Sequence, residues 1–80
     1  MMQMVSATAD REVWQAERRY EVVRVFDWFW RVEHAGALVG TVCEVKGEWR
    51  GWVGFHRSMS RARGDLARQE VIRAVVGLAT

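Results

Sequence analysis

From Tyr20 onward, polar and apolar positions alternate with a period of two. Phe26, Trp28, Trp30 and Val32 point one way; Asp27, Arg31 and Glu33 point the other, with Phe29 among them. Such alternation, rich in aromatic and β-branched residues, predicts a half-buried strand. Glu33 to Ala37 supplies a turn in which Gly36 is free to take positive φ. A second strand, Leu38 to Val45, places Val39, Thr41, Cys43 and Val45 on one side. Lys46-Gly47-Glu48 is a second tight turn. A third strand, Trp49 to Phe55, alternates Trp49, Gly51, Val53 and Phe55 against Arg50, Trp52, Gly54 and His56. Three strands joined by tight turns predict an antiparallel meander.

The flanks read differently. Ala9, Val13, Ala16 and Tyr20 recur at helical spacing. Thr8 is a candidate N-cap, acidic residues fall in the first turn, and Arg18 and Arg19 fall in the last. The pattern predicts a short helix over about 9–18, with Trp14 at the edge of its stripe. The competing reading assigns 13–20 to a first strand. Residues 1–7 read as a disordered lead-in. After His56, Ala67, Val71, Ala74 or Val75, and Leu78 repeat at helical spacing, with Ile72 and Val76 widening the stripe. That helix starts at Gly64-Asp65, or at Ser58 or Ser60, and Gly77 is its natural stop. The expected class is α+β, α-β-β-β-α: a three-stranded antiparallel meander flanked by a short N-terminal helix and a C-terminal helix.

Eighty residues make a single domain, 1–80. A chain this size buries only about 60% of its unfolded surface. Support for a marginal core comes from aromatics, from metals or disulfides, or from self-association. The single cysteine, Cys43, forms no intrachain disulfide and fits a reducing compartment. The N-terminus lacks the basic and apolar regions of a secretory signal, and no run of apolar residues is long enough to span a membrane. The expected setting is soluble and cytoplasmic, with no membrane partner.

Charge changes the picture in its layout more than in its total of +2. Residues 1–48 carry six basic and eight acidic side chains, a net of −2; residues 49–80 carry six arginines against Asp65 and Glu70, a net of +4. This asymmetry hints at an anionic partner.

Catalytic sets are not evident. Cys43, His34, His56 and Asp27 are the residues for a nucleophile–base pair, but Cys43 sits mid-strand on the expected core face, where cysteine is usually a small hydrophobe. No metal-ligand spacing and no phosphate-binding loop occurs; Gly51 and Gly54 more naturally mark a bulge or close packing. No enzyme, no cofactor and no metal is the reading.

Binding fits better. Arg57, Arg61, Arg63, Arg68 and Arg73 lie at or in the last helix, and Arg50 lies on the strand before it; arginines at a helix N-terminus suit phosphate. The element order resembles the double-stranded RNA-binding domain, with 57–63 at the place of that family's basic helix start, though without its lysine-rich motif. The stretch Trp49 to Phe55 before a helix also resembles plant-type AP2 DNA-binding domains, which implies base contacts from Trp49, Arg50 and Trp52. A protein partner is the other reading. Phe26, Trp28, Trp30 and Trp49 are expected in the core, leaving Phe29 and Trp52 as candidates for exposure, beside Arg31 and Arg50. Trp and Arg are the residues in which interface hot spots are enriched. An open sheet face or unpaired edge strand invites a homodimer. In size and style the chain resembles phage-borne inhibitors of the anti-CRISPR type, which implies a non-enzymatic binder that occupies a surface of a host nucleoprotein complex. The expected partner-binding set is Phe29, Arg31, Arg50, Trp52, Arg57, Arg61, Arg63 and Arg68; the alternative is a nucleic-acid-binding domain using the same arginines.

Overall fold

The computed structural model describes residues 2–54 and 59–79. Seven strands precede one helix: β1 (Gln3–Ala7), β2 (Arg11–Gln15), β3 (Arg19–Phe26), β4 (Phe29–His34), β5 (Ala37–Val45), β6 (Glu48–Val53), β7 (Met59–Ala62) and α1 (Ala67–Ala79). Each strand pairs antiparallel with the next, in the order β1 to β7. The sheet curls into a half-barrel around α1. This is a mostly β fold, and the expected α-β-β-β-α arrangement is overturned by four strands beyond the meander and by the lack of a helix before it.

Local sequence chemistry accounts for the middle of the sheet. Ala35-Gly36 and Lys46-Gly47 are two-residue hairpin loops with positive φ at both positions (51° and 80°, 52° and 80°). That geometry matches the right-handed twist of the flanking strands. The helix stripe also folds as its spacing predicts: Val71, Ile72, Val75 and Val76 are buried against Trp14, Tyr20, Val22, Trp30, Val32, Val42 and Val53 from the concave face of the sheet. Gly77, expected as the stop, lies inside α1, which continues to Ala79.

Two glycines set how close α1 can come. A Cβ on Gly51 would collide with Val71 and lie 2.7 Å from a Val75 methyl. A Cβ on Gly40 would lie 2.6 Å from the other Val75 methyl and collide with the Trp52 carbonyl. The helix therefore rests on bare backbone, which is the close packing that glycine in a strand permits.

The N-terminal helix expected at 9–18 is absent. Trp14 and Tyr20 sit opposite each other across β2 and β3, and both are fully buried. A helix stripe of Ala9, Val13, Ala16 and Tyr20 would have buried two alanines and left Trp14 at the margin. Burial of a Trp–Tyr pair, worth several kcal/mol at about 25 cal/mol per Å2, outweighs capping and dipole terms of about 1 kcal/mol each. Thr8 caps no helix. Its N–H and Oγ1 both donate to the Arg11 carbonyl, at 2.8 and 3.3 Å, and close the β1–β2 turn.

Three further expectations are corrected. The lead-in 1–7 contains β1, because the open edge of β2 carries backbone groups that need partners. Residues 59–62 form β7 for the same reason, pairing along β6, and the chain turns at Gly64 (φ 106°) before α1. Phe26 and Trp28, expected in the core, are 56% and 51% exposed. The strand register shifts between Arg24 and Phe26, and Asp27-Trp28 is the turn itself. The two-residue period stops at Phe26 and restarts with buried Trp30, so it never carried Trp28 inward.

Candidate partner-binding surface

Among the described residues, no helix covers the outer, convex face of the sheet. Two adjacent cross-strand rows run over it. In one, Val23, Arg31, Thr41, Trp52 and Met59 lie side by side across β3 to β7; in the other, Phe29, Cys43, Arg50 and Arg61 do so across β4 to β7. Neighbouring strands are about 4.8 Å apart and side chains two residues apart on one strand about 7 Å apart. Five of the eight expected binding residues, Phe29, Arg31, Arg50, Trp52 and Arg61, therefore share one patch. All but the exposed Arg61 are half-buried.

The charges of this patch are organised in pairs. Arg31 Nε meets Glu33 at 3.1 Å, and Arg50 Nε meets Glu48 at 2.8 Å. Arg63, which follows β7, lies 3.7 Å from Glu48 and donates to the Lys46 carbonyl at 3.4 Å. The hydrogen bond from Arg50, helped by the charges of Arg50, Arg61 and Arg63, holds the Glu48 carboxyl below the usual carboxylate range despite its partial burial. Arg61 has no ion pair among the described residues.

One of the eight residues does not join this face. Arg68 points into the fold, where its guanidinium meets Glu12 at 2.6 and 3.0 Å and lies 4.7 Å from the centre of the Trp30 ring. A polar contact this deep made it a structural residue, which helical spacing alone could not reveal. Arg57 lies outside the described residues, as do Phe55, His56 and Ser58.

The β3–β4 turn adds what the sequence pattern missed. Phe26 and Trp28 stack with ring centroids 5.3 Å apart and planes 8° from parallel; Phe29 meets Trp28 edge-on at 6.0 Å. Arg24 sits between Asp10, at 2.6 Å, and Asp27, and both carboxylates hold its guanidinium protonated above its ordinary range. The Glu44 N–H donates to the Trp28 carbonyl at 2.8 Å and fixes the turn to β5. Val25, next to Phe26 on β3, is exposed, as is Val45, next to Glu44 on β5. The available signal was Asp27, a turn former placed between two strand-like runs.

Cys43 stands beside Phe29 and Arg50. Burial pushes its thiol up, and the Arg50 charge only partly offsets this. Cys43 pairs with Phe29 at one end of β4, whereas His34 closes the other end, about 16 Å away along the strand. His34 is engaged elsewhere, with Nδ1 3.0 Å from the Arg19 carbonyl oxygen and its ring against Tyr20. Among the described residues, no cluster of three or more His, Cys, Asp or Glu side chains is placed to hold a metal, and no helix is long and apolar enough to cross a membrane.

No protein-family model, curated protein or solved structure matches the chain.

Proposed function

We propose that this protein is a non-enzymatic binding protein that acts by occupying a surface of a protein or nucleoprotein partner. The aromatic β3–β4 turn and the convex Arg–Trp face are the contact. The observation that carries the reading is the Phe26–Trp28 stack, in which both residues are more than half exposed, beside the Arg24 ion pairs with Asp10 and Asp27. Contiguous exposed apolar surface marks interaction sites, and rigid aromatics beside arginine are what binding hot spots are made of.

Nucleic-acid binding through the same arginines is the less favoured reading. Arg31, Arg50, Arg63 and Arg68 already face carboxylates, so a phosphate would have to displace an internal partner. Blocking of a host nucleoprotein complex in the cytoplasm, as phage-borne anti-CRISPR inhibitors do, is an action of the proposed kind: it needs a rigid surface and no chemistry.

The test compares wild type, a Phe26→Ala/Trp28→Ala variant and an Arg50→Ala/Arg61→Ala/Arg63→Ala variant. Each is mixed with generic duplex DNA and RNA at low and moderate salt, then used in crosslinking pull-downs. A partner retained by the wild type and lost with the aromatic variant is expected. A nucleic-acid complex that weakens log-linearly with salt and vanishes with the arginine variant would replace this reading.

A further inference from the structure

The half-barrel leaves two sheet edges, and they are built differently. β7 is four residues long, carries Arg61 and has α1 packed on it. Shortness, charge and cover are the usual ways in which an edge is protected from pairing. β1 has none of these. Gln3-Met4-Val5-Ser6-Ala7 contains no charge and no proline, and all five residues are exposed. Met4 and Val5 are exposed by 41% and 52%. A register shift between Met4 and Ser6 leaves Val5 as the extra residue on the side facing β2, and this bulge is the edge-blunting device that the strand does carry. The strand is not a loose arm, since Met2 just before it packs on the core beside Gly77. An anchored, neutral strand with a free row of backbone donors and acceptors is a template for another strand.

We infer that β1 is the seam of a homodimer, in which β1 of a second copy pairs antiparallel with it and one sheet runs through both copies. A second copy fits better than a foreign strand for two reasons. Identical strands related by a two-fold axis perpendicular to the sheet are antiparallel, and the contact closes at two copies. An axis through Val5 sets Gln3 opposite Ala7 and Met4 opposite Ser6, using the whole strand and placing no like charges together. The alternatives within the chain are poorer. A β7–β7 seam would have to form on a four-residue strand that carries Arg61 and has α1 packed on it, and β1 on β7 would be heterologous, leaving an open edge at each end. The β1 edge is separate from the convex face and from the contact proposed above.

Size-exclusion chromatography with light scattering on the full chain, over a dilution series, is the experiment. The wild type is expected at twice the 9.3 kDa chain mass. Val5→Lys and Val5→Glu, each alone, are expected to run as monomers with unchanged circular dichroism. Mixed together they should recover the dimer through Lys–Glu pairing at the axis. Trp52→Ala, on the convex face, should leave the dimer intact. A wild type that is monomeric throughout, a dimer that survives Val5→Lys, or one lost with Trp52→Ala would overturn the inference. Should the Val5 variants fail to fold, amide exchange on the wild type decides. Protection at successive residues along β1 is the expected result, and protection of only those facing β2 would overturn it.

Discussion

Arg68, in the first turn of α1, closes on Glu12 of β2 across 56 positions of chain, with its two terminal nitrogens 3.0 and 2.6 Å from the two carboxylate oxygens. Glu12 is 5% exposed and also accepts the Trp14 indole N–H at 3.1 Å. The pair locks the start of the helix to the far side of the half-barrel.

Breaking that pair from one side leaves a charge with no counter-ion in a buried place. Arg68→Ala and Glu12→Ala are each expected to lower unfolding stability by about 3 kcal/mol. The double variant Glu12→Ala/Arg68→Ala should lose clearly less than the sum of the two, since it leaves neither charge without its partner. Urea unfolding midpoints check this.

Gly51→Ala should be costly although it adds one methyl. That methyl meets Val71 and Val75, whose β-branched side chains have little rotamer freedom to move aside. A loss of about 2 kcal/mol is expected, as for overpacking elsewhere. Gly36→Ala meets nothing within 4 Å but sits at φ 80°, so its cost is backbone strain of about 1 kcal/mol. Thermal melts of the two variants should separate in that order.

Trp28→Ala should change stability by about 1 kcal/mol or less, the worth of its stacking on Phe26, because the ring is mostly in water. It should remove the most quencher-accessible tryptophan, so that acrylamide quenching of the remaining fluorescence falls and the emission shifts to the blue. Trp14→Ala should do the opposite, unfolding the protein or costing about 4 kcal/mol.

Cys43 should alkylate more slowly at neutral pH than a free cysteine, with its pH–rate profile displaced upward, because burial outweighs the Arg50 charge. Arg50→Ala removes the opposing influence and should displace the profile further upward. A downward displacement in Arg50→Ala would contradict the arrangement of that row.

Glu48 is depressed in the folded chain. Its contribution to stability is therefore complete above the ordinary glutamate range and is lost as pH falls below that range. Carboxyl carbon shifts should show Glu48 titrating below the ordinary glutamate range, and Arg50→Ala should move it back up toward that range.

What the sequence determined by itself is local. The Ala35-Gly36 and Lys46-Gly47 turns, the period-two strands beside them and the apolar stripe of α1 were legible, because backbone sterics and side-chain spacing act within a few residues. The grouping of Phe29, Arg31, Arg50, Trp52 and Arg61 on one outer face follows from the same alternation once the strands pair. The tertiary structure decided the rest. Residues 9–20 satisfy a helical pattern, yet Trp14 gains more by facing Tyr20 and α1, a choice made by partners far along the chain. Arg68 looks like a surface arginine until Glu12 is brought to it from β2. Phe26 and Trp28 looked like core until the β3 register shifted and put them on a turn. Short segments carry weak local preferences, so long-range burial and the satisfaction of backbone groups along two open sheet edges settled their conformation.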